Sequence, residues 1–286
     1  MKNKGGFELR QAFADRRLLR IAGAHDGLTA RLAEEAGFDG VWASSFEISA
    51  AHGVPDMSLL GLAELLSAAT TIRHTVDVPV IADCDTGFGG PLNAVHAMRR
   101  CESAGISAIS IEDKAFPKRN SFMPAGHELV PPGEFAVKIE AAARARCDPA
   151  TVLIARTEAF VCGRGVDEVL SRCHQYVDAG ADAVLVHSKQ PGPEEILAFL
   201  GRWRRRAPVV VVPTTYASWS ADAAAEAGAD AVIYANQGLR SMVQAIRETW
   251  RSVLATGACA EVEPRIATID EIFELSRLKQ WLDFEQ

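Results

Sequence analysis

Asp178-Ala179-Gly180-Ala181-Asp182-Ala183-Val184 closes one apolar helical pattern, the stretch from Val169 to Val177, and opens a β-branched run. The same grammar returns in Glu35-Ala36-Gly37-Phe38-Asp39-Gly40-Val41-Trp42, in Ser103-Ala104-Gly105-Ile106-Ser107-Ala108-Ile109 and in Glu226-Ala227-Gly228-Ala229-Asp230-Ala231-Val232. A helix commonly closes on a residue at positive φ, a backbone region that is costly for a residue with a Cβ and open to glycine. The repetition predicts a chain in which helix and strand alternate.

Outward from these segments, short apolar runs predict strands at Leu19–Ala22, Gly40–Ser44, Val78–Asp83, Ala108–Glu112, Val152–Arg156, Ala183–His187, Pro208–Val212 and Ala231–Ala235. They are continuously apolar rather than alternating, as strands covered on both faces of a parallel sheet should be. Eight β/α units in 286 residues predict an α/β fold, a (β/α)8 TIM-type barrel, with the doubly wound open sheet as the alternative. The chain, 1–286, reads as one barrel domain. Within it, residues 261–286 place Ile266, Ile269, Ile272, Phe273, Leu275 and Leu278 at helical spacing, a C-terminal helical extension expected to pack on a neighbouring subunit.

With 48% apolar and 23% charged residues the chain can bury a sizeable core, which excludes disorder and collagen-like repeats. Thirty Lys plus Arg against 37 Asp plus Glu leave a net charge of −7, so no nucleic-acid partner is expected. The six cysteines, Cys84, Cys101, Cys147, Cys162, Cys173 and Cys259, form no C-x-x-C pair and read as reduced thiols. The stretch Met1 to Arg20 lacks the apolar core of a signal peptide, and no run is long enough to span a bilayer. A cytoplasmic protein with no membrane partner is the expectation.

In a barrel of this kind chemistry gathers at the C-terminal ends of the strands and in the loops that follow. Strand two leads into Ser44, Ser45, Phe46, Glu47 and Asp56; strand three into Asp83-Cys84-Asp85-Thr86-Gly87-Phe88-Gly89; strand four into Glu112-Asp113-Lys114. Strand five leads into Arg156-Thr157-Glu158 and strand six into His187-Ser188-Lys189. Asp83 and Asp85 alternate along a strand and would share a side, with Glu112 beside them. Like charges this close repel unless something neutralises them, and a hard cation such as Mg²⁺ does so with carboxylate oxygens and water. The plainer alternative is that these acids cap helices or pair with Lys114 and Arg156.

Arg156, Lys118, Asn120, Ser121 and His187 together make an anion pocket, since a guanidinium fork suits phosphate or carboxylate oxygens. The stretch 113–133 has neither helical nor strand period and holds Pro117, Pro124, Gly126, Pro131 and Pro132. Connections this long in a compact domain are commonly lids, and this one carries Lys118 and Asn120. In Ala24-His25-Asp26-Gly27, Asp26 reads as the N-cap of the next helix, while His25 has no assigned role.

The run Asp83 to Gly89, followed by Glu112-Asp113-Lys114-Ala115-Phe116-Pro117-Lys118-Arg119-Asn120-Ser121, resembles the phosphoenolpyruvate mutase branch of the isocitrate lyase superfamily, over Gly23 to about Ile246. The resemblance implies an isomerase that interconverts phosphoenolpyruvate and phosphonopyruvate, the first step towards phosphonates, with Mg²⁺ as cofactor and Mn²⁺ as a substitute. It implies that Asp83 binds the metal directly while Asp56, Asp85 and Glu112 hold its water. Trp42, Ser44 and the backbone amides of Ser45 and Phe46 would line the ligand, and Lys118, Asn120, Ser121, Arg156 and His187 would complete the pocket. Ser44 joins Asn120, Lys118, Arg156 and His187 as the catalytic set. Members also close a lid and form homotetramers, dimers of dimers that exchange a C-terminal helix.

Two positions depart from the family pattern, which commonly has glycine at Ser45 and a smaller aliphatic residue at Phe46. The amide donors survive, but the pocket narrows. Phosphonopyruvate hydrolase is the alternative within the resemblance, and relatives of that type typically carry threonine where this chain has Asn120. Isocitrate-lyase-type cleavage of a 2-hydroxy or 2-oxo diacid uses a K-[KR]-C-G-H lid, whereas Lys118-Arg119-Asn120-Ser121 offers no thiol as the acid.

Overall fold

Strands β1 (Leu19–Ala24), β2 (Gly40–Ala43), β3 (Val80–Asp83), β4 (Ala108–Glu112), β5 (Val152–Thr157), β6 (Ala183–Val186), β7 (Val209–Val211) and β8 (Ala231–Tyr234) each pair in parallel with the next, and β8 pairs back onto β1. The sheet is therefore a closed barrel, and the open-sheet alternative is excluded. The computed structural model describes residues 3–285, so Met1, Lys2 and Gln286, the ends of the N-terminal stretch and of the C-terminal extension, lie outside the described residues. Helices α1 (Lys4–Ala14), α2 (Gly27–Glu35), α3 (Ser45–Ala51), α4 (Leu62–Thr75), α5 (Pro91–Ser103), α6 (Pro132–Ala145), α7 (Val166–Asp178), α8 (Glu194–Trp203) and α9 (Ala221–Ala227) complete the unit that ends at Asn236.

Gly37, Gly105, Gly180 and Gly228 have φ of 84°, 74°, 103° and 103°, the conformation expected at the helix ends of the repeat. The expected starts Val78 and Pro208 are early, because β3 and β7 begin immediately after Pro79 and Pro208. Proline has no N–H to give a ladder.

Side chains of period two fill the barrel: Val152 and Ile154 on β5, Ala183 and Leu185 on β6, Val210 on β7, Ala231 and Ile233 on β8 pack with Ile81 and Trp42. Leu9, Ala12 and Phe13 of α1 join this cluster. One step further along the same inward phase come Asp83, Glu112, Arg156 and His187, so the alternation that fills the core also aims the polar residues into the barrel mouth. Glu112 and Arg156 are direct partners in the β4–β5 register.

The second unit begins at Gln237. It contains the 20-residue α10 (Gln237–Thr256), a short 3-10 turn at Glu263–Arg265, α11 (Ile269–Leu275) and α12 (Leu278–Leu282). Thr268 caps α11 in a reciprocal capping box with Glu271. Among the described residues no helix is long and apolar enough to cross a membrane.

Candidate active site

A pocket opens at the C-terminal mouth of the barrel, with Trp42, Asp83, Glu112, Arg156 and His187 supplied by the strands or the residues that follow them. The segment between β4 and α6 covers it and contributes Lys114, Lys118, Asn120, Ser121 and Phe122. The stretch expected as a lid over 113–133 ends as irregular backbone at Pro131, because Pro132 and Gly133 open α6. Backbone hydrogen bonds from Ala115 to Glu128 and from Val130 to Asp113 close its base.

One side of the pocket is acidic. Lys118 Nζ lies 2.6 Å from Asp85 Oδ1 and 2.9 Å from Asp56 Oδ1, and donates to Ser45 Oγ at 2.9 Å. Ser45 in turn donates to Asp83 Oδ2 at 2.8 Å, and Asn120 Nδ2 donates to Asp56 Oδ2 at 2.8 Å. Burial alone would strip the proton from Lys118, but Asp85, Asp56, Asp83 and Glu112 together hold it well above the usual amine range. Burial pushes Asp85 up to about 7, with Lys118 opposing and Asp83 and Asp56 adding to the rise.

The other side gathers cations around Glu158. Arg156 reaches Glu158 Oε1 at 2.6 Å and its Nε lies 3.2 Å from Glu112 Oε2. His187 Nδ1 lies 2.9 Å from Glu158 Oε1, while its Nε2 is buried and has no hydrogen-bond partner among the described residues. The Phe122 ring packs edge-on against the imidazole at 5.9 Å, so the lid and Glu158 fix the ring between them.

The donor set suits a hard cation. Asp56 Oδ1 and Asp85 Oδ1 face Lys118 Nζ at 2.9 and 2.6 Å and Glu112 Oε2 faces Arg156 Nε at 3.2 Å, while Glu112 Oε1 is buried with no hydrogen-bond partner among the described residues and Lys114 Nζ 4.0 Å away, a group that is costly unless a cation or water meets it. No three His, Cys, Asp or Glu side chains among those residues are grouped to hold an ion by themselves. A set of carboxylates beside an open pocket is the donor chemistry Mg²⁺ uses, with one or two carboxylates bound and water in the rest of its shell.

Of the residues expected from the sequence, Trp42, Ser44, Phe46, Asp56, Asp83, Glu112, Lys118, Asn120, Ser121, Arg156 and His187 all line this pocket. Ser45 and Asp85 stand one contact behind, both against Lys118. Strand alternation does not place Asp85: β3 ends at Asp83, and Asp85 sits in the next loop at φ 50°, its carbonyl accepting from the Glu112 amide. Ser44 is the N-cap of α3, where its Oγ accepts from the Glu47 amide at 3.3 Å. Asp26 caps α2 as expected.

Several participants were not assigned from the sequence. Glu158 is the hub of the cationic side, and Asp113 lies beneath it, accepting from the Glu158 amide, Thr157 Oγ1 and Tyr176 Oη. The signal for Glu158 is a carboxylate two residues beyond Arg156 at the same mouth, which strand periodicity treats as loop. His25 and Glu47 form a buried pair, Nδ1 to Oε2 at 3.0 Å. Gly23 makes room for it: a Cβ there would meet Glu47 Oε1 at 2.4 Å and the Ala235 carbonyl at 2.5 Å.

Comparison with known proteins completes the assignment. The family model described as phosphoenolpyruvate phosphomutase matches residues 9–254. The chain belongs to that family. A phosphonopyruvate hydrolase of Variovorax sp. (strain Pal2) is 44% identical over 269 residues, 93% of each chain. A phosphoenolpyruvate phosphomutase structure from Streptomyces platensis subsp. rosaceus is 48% identical over 98% of both chains, with a TM-score of 0.97. A phosphonopyruvate hydrolase solved with oxalate and Mg²⁺ is 40% identical, covering 100% of this chain and 98% of that one, with a TM-score of 0.93. Proteins of both names, phosphomutase and hydrolase, are thus similar to this chain over nearly its whole length.

Proposed function

We propose that the protein is a phosphoenolpyruvate phosphomutase, interconverting phosphoenolpyruvate and phosphonopyruvate. In the forward sense the ester O–P bond breaks with its electron pair left on the enolate, and the enolate carbon then takes the PO₃ unit, forming the C–P bond. The reverse begins with C–P cleavage. The observation that carries the reading is Asn120, half-buried, lining the pocket with Arg156 and His187 and bonded to Asp56. A loosely bonded, metaphosphate-like group needs donors directed at its oxygens and a site closed to water. Arg156, with its charge fixed by Glu158, and the free Nε2 edge of His187 supply two of those directions, and the Asn120 amide supplies a third. The first-turn amides of Ser45 and Phe46 have no acceptor inside α3 and are available to the carboxylate end of the substrate. Mg²⁺, or Mn²⁺ in its place, would be held by Asp83, with Asp56, Asp85 and Glu112 on its water, and would supply positive charge against the enolate.

The second reading is hydrolysis of phosphonopyruvate to pyruvate and phosphate, favoured by the 44% identity to the Variovorax hydrolase. Asn120, where hydrolase-type relatives carry threonine, supports the mutase. Incubation of the protein with phosphonopyruvate and Mg²⁺, followed by phosphorus NMR, separates the two: the mutase yields phosphoenolpyruvate, and prompt inorganic phosphate overturns this reading. A cytoplasmic homotetramer serving phosphonate biosynthesis is part of the same proposal.

A further inference from the structure

Glu158 is fully buried just past β5, and its two oxygens serve different parts of the molecule. Oε1 meets Arg156 and His187, both rooted in the barrel. Oε2 accepts from Ser121 Oγ of the lid at 2.6 Å and lies 3.3 Å from Lys114 Nζ. Lys114, itself buried, donates to Ser121 Oγ at 2.7 Å and to the Arg119 carbonyl at 2.9 Å. The residues on either side of Asn120 are therefore tied down by one ammonium–carboxylate pair, while the Asn120 side chain is tied to Asp56. Burial opposes ionisation of Glu158, but Arg156, Lys114 and His187 outweigh it and hold the carboxyl well below its usual range, so the latch is charged. Asp113 keeps the hub in place by accepting from the Glu158 amide at 2.9 Å.

We propose that Lys114 and Glu158 are positioning residues that latch lid residues 119–121 and thereby decide which nucleophile receives the PO₃ unit. The inference rests on the mutase reading and deepens it. When the C–P bond of phosphonopyruvate breaks, its electron pair stays with the enolate. With the lid latched, the enolate oxygen attacks phosphorus and gives phosphoenolpyruvate. With it loosened, a water oxygen attacks instead and loses its protons to the medium, leaving inorganic phosphate, while the enolate takes a proton on carbon and leaves as pyruvate. Buried charge-assisted hydrogen bonds of this kind hold a surface segment far more firmly than exposed ones do.

Lys114→Met removes the ammonium, which lies 3.3 Å from Glu158 and 4.0 Å from Glu112, and leaves the Arg156 and His187 side chains themselves unchanged. Two measurements on the full chain test it. Phosphorus NMR with phosphonopyruvate and Mg²⁺ should show the ratio of inorganic phosphate to phosphoenolpyruvate rising about tenfold over wild type, with Lys114→Arg restoring much of the difference. Limited trypsin digestion, run well below each variant's own thermal midpoint, should cut after the exposed Arg119 several times faster than in wild type. A merely structural lysine would lower turnover with the product ratio unchanged, and that result overturns the proposal; so does unchanged cleavage after Arg119. If wild type itself releases phosphate, the mutase reading fails and with it the control of product, while the trypsin comparison still reports on the latch. Should Lys114→Met not fold, Lys114→Gln carries both measurements.

Discussion

Asn120 Nδ2 and Asp56 Oδ2 meet at 2.8 Å, joining the covering segment to a carboxylate that also holds Lys118. Asn120 Oδ1 accepts from the Phe122 amide at 3.0 Å, so the side chain is fixed at both ends. Asn120→Ala removes both bonds together with a donor aimed at the transferring group. Turnover should fall on the order of 10²-fold, the usual effect of deleting one preorganised donor, with the thermal midpoint nearly unchanged. Steady-state kinetics and a melting curve check it; wild-type kinetics would remove Asn120 from the site.

Asp83 stands at the last position of β3, where it accepts from Ser45 and lies 4.0 Å from Arg156 Nη1. Asp83→Ala should abolish turnover and weaken Mg²⁺ binding, as read by calorimetric titration of the protein with Mg²⁺. Chelation by EDTA should silence wild type, and added Mg²⁺ should restore it. Retained Mg²⁺ affinity in the variant would show that another carboxylate holds the ion.

The barrel was legible because its signal is repeated: each helix-ending glycine is followed by a buried run, and parallel strands leave little ambiguity. The mouth was legible wherever a pocket-lining side chain continues a strand's inward phase, as Asp83, Glu112, Arg156 and His187 do. Asp85 reached its place by a left-handed backbone turn, which no periodicity encodes. Glu158, Asp113 and Lys114 escaped assignment for a related reason: their importance lies in contacts between segments distant in sequence, such as Tyr176 to Asp113 across 63 positions. Sequence displays residue types along a strand but not which buried charge answers another.

His25 and Glu47, buried at 3.0 Å, allow a prediction with a definite sign. The hydrogen bond to Glu47 raises His25 above 6.5 against the opposing effect of burial, with the charges of Asp26 and Glu47 adding to the rise. A histidine whose folded pKa exceeds its unfolded one contributes stability that is fully present below the unfolded value and is lost as pH rises through the folded one. The thermal midpoint should therefore carry a component that declines above pH 6.5, smaller in Glu47→Gln, where Asp26 remains. Proton NMR of the His25 ring should place its midpoint above 6.5 in wild type and lower in the variant. An unshifted ring would mean the pair is neutral.

The second unit exposes large apolar side chains: Trp250 is 61% exposed, Leu254 85%, Ile269 68%, Trp281 70% and Phe284 86%. Apolar surface of this kind in one segment marks a contact with another chain more often than a free surface. The proposed occupant is a second copy of this protein. Multi-angle light scattering should give a mass about four times the 30.8 kDa chain. Trp250→Ser with Leu254→Ser should shift the distribution towards smaller species, because each loses apolar area worth roughly 25 cal/mol per Å² when buried. A monomer at micromolar wild-type concentration would refute the homotetramer, and an unchanged tetramer in the double variant would move the contact elsewhere.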